Sequence, residues 1–335
     1  MILLCVELVL MLLVILAAAE IFTNALEHLG ERLGISEGVT GSLFAAVGTA
    51  LPETMVPIIA IFAGTQNVQL NQDIGVGAIL GAPLMLSTLS TALMAISVLG
   101  LRGIRGRIQP ERSGFTRDMN FFLVAFAIAA GAMYVPAEMH MVRVALSVLL
   151  VSIYVAYIVF TVRASSDLVE AGHGTEAEEP IFLTKLGLKE NLGTILLQLV
   201  LATIMLVAGA KGFIYGVEGV STALGISALV LSLLIIPIAT ELPEKVNSIL
   251  WVRRGKDTLA FGNITGAMVF QGTLLPALGI LVTPWQPRPE VISGIVITLV
   301  AAVWLRANAK SEGARVGALL VNGALYLGYL GYVLL

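Results

Sequence analysis

"GTALPE" (residues 48–53) and "IATELPE" (residues 238–244) place Thr, Leu, Pro and Glu at the same steps, each in the middle of a long apolar run. A helix crossing such a run is interrupted at the proline. Pro52 carries no N–H, so the carbonyl of Gly48, four residues back, loses its helical partner, and Pro243 does the same to the carbonyl of Ala239. In hydrocarbon an unanswered carbonyl costs several kcal/mol, and it is tolerated where it faces water or a cation. Thr49 and Glu53 are four apart, as are Thr240 and Glu244, so each hydroxyl shares a helix face with its carboxylate. Each stretch therefore offers a carboxylate, a hydroxyl and a freed carbonyl, all oxygen donors. Hard cations such as calcium take about six to eight oxygens, with carboxylates among them. A proline kink beside a packed or snorkelling Glu would account for one copy. Two copies make ionisable groups at membrane depth a functional pair.

The composition sets the surroundings. Of 335 residues, 58% are hydrophobic and only 12% charged, against about 25% charged in a soluble domain. Apolar runs near the length needed to cross a bilayer recur along the whole chain. Continuous runs exclude a transmembrane barrel, and the lack of polar faces excludes a soluble bundle. The reading is an all-α polytopic membrane protein with ten spans, at residues 2–29, 37–62, 74–100, 119–135, 141–162, 191–219, 226–252, 258–282, 290–305 and 316–335. The opening "MILLCVELVLMLLVILAAAE" imitates a leader but lacks a basic n-region, and reads as span one. Cys5 is the single cysteine, so neither an intrachain disulfide nor a cysteine metal cluster is available.

Charge orients the spans. Of 19 Lys and Arg, the loops after spans one, three, five, seven and nine hold all but four. Arg143 and Arg288 lie on the other side, and Lys211 and Lys245 lie within spans. The odd-numbered loops are therefore expected in the cytoplasm and both termini outside. Residues 163–190, with Asp167, Glu170, Glu176, Glu178 and Glu179, read as an acidic cytoplasmic linker between a first half (1–162) and a second (191–335).

The halves repeat. At a shift of 191, "LGIS" at 33–36 falls on "LGIS" at 224–227, Glu27 on Glu218, Glu53 on Glu244 and Gly64 on Gly255; slightly further on, "GAILGA" (77–82) pairs with "GNITGA" (262–267). Each half has five spans, an odd number, so the second copy enters the membrane inverted. Inverted repeats with interrupted helices are the architecture of secondary transporters.

These motifs resemble the two α-repeats of the sodium/calcium exchangers and the wider calcium/cation antiporter superfamily, whose pattern is roughly G-T-S-L-P-E followed in the next span by G-N-x-x-G-S-N. The resemblance covers nearly the whole chain. It implies an antiporter with Glu53 and Glu244 as central cation ligands, flanked by Thr49 and Thr240 and by the carbonyls of Gly48 and Ala239. The departures are specific. The Ser after the Thr is Ala50 in one repeat and Glu241 in the other. The serines and asparagines of G-S-N are absent at Ala82-Pro83 and Ala267-Met268. The Asn or Asp four residues past each Ser is Leu86 in one repeat and Gln271 in the other, and only Gln271 keeps an oxygen. Asn263 keeps the glycine-following Asn, where the first repeat has Ala78. Much of the shell that would hold several sodium ions is apolar, while the glutamate pair is intact.

Glu241 supports two readings. It is a third ligand or proton-relay carboxylate, or it pairs with Lys245 four residues on, in the favoured Glu-before-Lys order. Their counterparts Ala50 and Thr54 are neutral, so the two charges enter together. His28, His140 and His173 share no metal spacing. No catalytic constellation, phosphate loop or nucleic-acid patch is present, so an enzyme is not expected, nor a bound cofactor. The partners are membrane lipids and the transported cations, and nothing in the sequence marks an oligomeric state. The function read from the sequence is antiport of a divalent cation, calcium first, against protons or sodium. An antiporter of another cation, a channel, and a non-transporting sensor or scaffold are the rival readings at this point. The topology has a direct test: a cysteine placed at Glu176 should react with a membrane-impermeant maleimide only after permeabilisation, and labelling in intact cells would reverse the orientation.

Overall fold

The computed structural model describes residues 2–32, 51–169, 179–309 and 312–334, and these are helical almost throughout. The helices are α1 (Ile2–Arg32), α2 (Leu51–Ala63), α3 (Val68–Met85), α4 (Thr91–Arg102), α5 (Arg112–Ala132), α6 (His140–Val169), α7 (Leu192–Leu224), α8 (Ala228–Thr240), α9 (Leu242–Arg253), α10 (Asp257–Val282), α11 (Pro289–Asn308) and α12 (Val316–Leu334). A π-turn at Leu86–Ser90 joins α3 to α4, so Val68–Arg102 is one rod of 35 residues. Among the described residues, eight helices are long and apolar enough to cross a membrane, and two shorter apolar ones, Pro52–Ala63 and Ala228–Ile238, contain the Pro-Glu stretches or lead into them. Helices dominate because hydrocarbon offers no partner to a backbone N–H or C=O, and a helix answers both internally.

Several helices outrun the spans read from hydropathy. The fourth starts at Arg112 rather than 119, because Glu111 caps it, accepting from the N–H of Ser113 (2.7 Å) and of Gly114 (2.6 Å). Those two N–H groups hold the Glu111 carboxyl below its ordinary range. The fifth continues to Val169, into the stretch read as linker, and Phe182–Leu186 adds a short turn near its other end. The all-helical reading has one addition, a two-residue antiparallel ladder pairing Arg107 with Arg315 and Ile108 with Ala314.

The chain divides into two compact units. The first comprises Met1–Asn71 and Val162–Leu224. Here α1 and α7 run antiparallel in close contact. Gly209, Gly212, Gly216 and Gly219 meet Ile15, Met11, Leu8 and Leu4 in turn, and a Cβ at Gly212 would lie 2.5 Å from the Met11 sulfur. Small residues let two backbones approach where lipid offers no hydrophobic drive. A polar cluster closes one end: Gln198 Nε2 donates to Asn24 Oδ1 (2.9 Å), Asn24 Nδ2 donates to the Glu179 carbonyl (3.1 Å), and His28 Nδ1 lies 3.3 Å from Glu190.

The second unit comprises Gln72–Thr161 and Gly225–Leu335. Its core centres on α10, packed against α5 through Phe115, Phe122, Phe126 and Phe261, with Trp285 buried at one end. Outward faces are apolar, as at Val148, Val151, Val155 and Phe160 on α6, which is the surface lipid requires. At the helix ends Arg102 makes a bidentate pair with Asp257 (2.7 and 2.8 Å) and donates to the Val252 carbonyl (2.7 Å).

The glycines of "GAILGA" have a definite task. Pro237 lies inside α8 and brings no N–H to the carbonyl of Leu233. Gly81 of α3 covers that oxygen, and a Cβ there would stand 2.3 Å from it; a Cβ on Gly77 would stand 2.7 Å from Ser232 Cβ. Gly81→Ala must push α3 off α8, and should destabilise the protein by about 1–3 kcal/mol. Thermal unfolding in detergent checks this against Gly100→Ala, where a Cβ meets nothing within 4 Å; equal stability of the two variants would refute the close contact.

Candidate cation site

The second Pro-Glu stretch breaks its span. Helix α8 ends at Thr240, Glu241 leaves helical geometry (φ −84°, ψ 8°), and α9 restarts at Leu242 with Pro243 in its first turn. Pro243 offers no N–H to the carbonyl of Ala239, the interruption that the sequence implies. The carbonyl of Pro237 accepts from the Glu241 N–H at 3.3 Å and from Lys245 Nζ at 2.8 Å, and the carbonyl of Ile238 accepts from Lys245 Nζ at 3.2 Å. Thr240 is buried and donates its hydroxyl proton to the Ile236 carbonyl (3.1 Å), which leaves the oxygen lone pairs for a cation.

Around this break the unit buries an unusual amount of charge. Glu241 is 0% exposed, Glu244 6% and Lys245 7%. A carboxylate oxygen of Glu241 lies within 4.8 Å of one of Glu244. Gln271, buried on α10, donates from Nε2 to Glu241 Oε1. Glu241 Oε2, Glu244 Oε2 and Gln271 Oε1 have no hydrogen-bond partner among the described residues. Three inward oxygens on adjacent helices, two of them on carboxylates this close, call for positive charge between them. Asn263 Nδ2 fixes the geometry from α10, donating to the Glu244 carbonyl (3.0 Å) and to Ser248 Oγ (3.0 Å). The Asn retained in this repeat thus holds the ligand-bearing turn by its backbone.

In the other unit Glu53 stands on α2 and is also buried, at 4% exposed. Gly48 and Thr49 lie outside the described residues. The structure thus brings together Glu241, Glu244 and Gln271, and places Thr240 and the Ala239 carbonyl at the end of the half-helix beside them. Gln271 donates to the Glu241 carboxylate, and the Lys245 ammonium also donates to the carbonyls of Pro237 and Ile238.

Sequence reasoning passed over three groups. Pro237 shares the broken span with Pro243. Ala82 and Leu86, noted only as lost ligands, are fully packed apolar residues. Asp118 is 5% exposed and accepts from Thr265 Oγ1 (2.7 Å) on another face of α10. A fourth span drawn from 119 left Asp118 in a loop; its helical spacing from the core residues Phe115 and Phe122 is the signal that finds it.

The family model "sodium/calcium exchanger protein" matches residues 3–163 and 194–335. The inner membrane protein YrbG of Escherichia coli (strain K12) is 24% identical over 317 residues, covering 93% of this chain and 91% of that protein. Among solved structures, the H+/Ca2+ exchanger CAX superposes with a TM-score of 0.70 at 17% identity, covering 99% of this chain and 82% of that one. The sodium-calcium exchanger NCX_Mj superposes at 0.57 with 19% identity, covering 98% of each. The family match and the fold define a membrane cation transporter of the exchanger type. The chain belongs to the sodium/calcium exchanger protein family.

The Gln271 contact can be isolated. Gln271→Met removes the donor to a buried carboxylate at nearly constant volume and should cost about 1–3 kcal/mol of stability. The same change in a Glu241→Gln background should cost less. A double-mutant cycle with no coupling between the two sites would mean that the contact carries no energy.

Proposed function

We propose that the chain exchanges calcium for protons across the membrane by alternating access, on ten spans arranged as two inverted five-span repeats. The odd-numbered loops and the 163–190 linker lie in the cytoplasm, and the termini outside. Glu53 and Glu244 ligate the same ion as its central pair. Thr49 and Thr240, the carbonyls of Gly48 and Ala239, and the side-chain oxygens of Glu241 and Gln271 complete its shell.

The observation that carries this reading is the buried break at residues 240–244, with carboxylate oxygens of Glu241 and Glu244 turned inward and lacking partners among the described residues. The sequence repeat, which sets Glu53 on Glu244, extends it to the other half. Family membership and the likeness to exchangers support antiport over a channel or a sensor. Calcium fits a shell built of hard oxygens with two carboxylates to balance its charge. Protons are favoured over sodium because the positions at which the family places further ion ligands are the apolar Ala82, Leu86 and Ala267, with Gln271 the one polar side chain among them. A proton needs no shell, only a carboxylate that is protonated when the metal leaves. One calcium ion and two protons then alternate on one pair of glutamates, and charge is conserved at each exchange.

Proteoliposomes loaded with calcium decide the matter. A pH gradient without sodium should drive calcium efflux, and a sodium gradient at symmetric pH should not. Efflux driven only by sodium would transfer the second ion to groups outside these positions. Glu53→Gln and Glu244→Gln should each reduce efflux to the rate of empty liposomes, and near-normal transport by either variant would defeat the assignment.

A further inference from the structure

Two lysines stand inside spans. Lys211 is exposed, and Lys245 is 7% exposed beside Glu241 and Glu244. The ammonium of Lys245 has an uncommon seat. Helix α8 ends at Thr240, so its last carbonyls carry the negative end of the helix dipole. Across the break the Glu241 N–H still reaches the Pro237 carbonyl, at a long 3.3 Å, while Pro243 brings no N–H to the Ala239 carbonyl. Lys245 Nζ lies 2.8 Å from the Pro237 carbonyl and 3.2 Å from the Ile238 carbonyl. Unwound carbonyls at the end of a broken helix are the groups with which transporters coordinate monovalent cations. Here the positive charge at that place is delivered by the chain itself.

We propose that Lys245 is a tethered monovalent cation: its ammonium fills the carbonyl seat at the end of α8, shuts sodium out of it, and offsets the charge of Glu241. The inference rests on the cation site described above and adds the residue that sets its selectivity. With Lys245 charged, Glu241 is balanced, and Glu53 and Glu244 are left with the two negative charges that match one calcium ion or two protons. The first repeat has Thr54 at the corresponding position and Ala50 in place of Glu241, so the lysine and its counter-charge occur in one repeat alone. The tether accounts for both members of the Glu241–Lys245 pair: the lysine occupies the carbonyls, and the glutamate keeps the net charge of the site unchanged.

The test uses the purified full-length chain in detergent, with radiolabelled sodium and calcium as separate probes. Lys245→Met removes both charge and donor. Lys245→Gln is uncharged and one atom shorter, so it vacates the seat while staying polar, and it carries the test should the Met variant not fold. Either variant should gain saturable sodium binding, and Lys245→Gln should bind calcium about tenfold more tightly or better, since a unit positive charge has left a low-dielectric site. The double variant Glu241→Gln/Lys245→Gln should return calcium affinity towards that of the parent. Sodium binding no stronger than the parent's in a monodisperse Lys245→Gln protein overturns the proposal. Failure of the parent itself to bind calcium overturns the reading of the cation site instead; the sodium measurement needs no calcium and still decides the role of the lysine.

Discussion

A carbonyl inside hydrocarbon must have a donor, a cation or water, and no fourth option exists. Each prominent residue of the second unit can be traced to that constraint. Pro237 withdraws the donor of the Leu233 carbonyl, and Gly81 lets another helix lie against it. At the break the Pro237 carbonyl takes the Glu241 N–H at 3.3 Å, and a lysine comes back eight and seven residues to add its ammonium to the carbonyls of Pro237 and Ile238. The Glu244 carbonyl takes the amide of Asn263. The Ala239 carbonyl faces an imino nitrogen, and the proposed function gives it to the ion. Glycine, amide and lysine thus answer carbonyls at successive turns of the second unit.

Charge follows a parallel rule. A buried charge is stable only if paired or hydrogen-bonded, because the loss of its water must be offset locally. At the helix ends this is done by bidentate or short pairs such as Arg102 with Asp257 and Arg288 with Asp73 (2.7 Å), which hold helices in register. At depth the pairing is incomplete. Glu241 has Gln271 on one oxygen only, and Glu244 Oε2 has no partner among the described residues. Pairs complete at the rim and open at the centre are what the proposed mobile charge requires.

Much of this was legible in the sequence, and the reason is physical. Proline and glutamate inside an apolar run conflict with both helix and lipid, so their location marks the site without any knowledge of packing. Burial of Glu53, Glu244 and Thr240 followed from that conflict, whereas Gln271 was marked only by the family resemblance. The destination of Lys245 was not legible, because helical spacing pairs it with Glu241 only if the helix continues, and the helix stops at Glu241. Asp118 was hidden by a hydropathy window that trims charged ends: Glu111 caps the helix well before the apolar run begins. The ladder at Arg107–Ile108 left no trace, two residues being too few to carry a strand pattern.

The asymmetry between the repeats then has a definite meaning. Two identical halves would bring identical ligand sets, and a transporter needs no more than that to return to the same ion from either side. This chain adds Glu241 and Lys245 to one half and nothing charged at the matching positions, Ala50 and Thr54, in the other. Either addition alone would change the charge of the site by one and leave a lone charge in a medium that penalises it by several kcal/mol. Added together they leave the total unchanged while altering which positions are open to ions. A covalently held ammonium cannot dissociate, so the seat it fills cannot take part in the exchange cycle. On the proposed mechanism, fixing one positive charge in place closes one seat to mobile ions without altering Glu53 and Glu244, the pair proposed to carry the exchange.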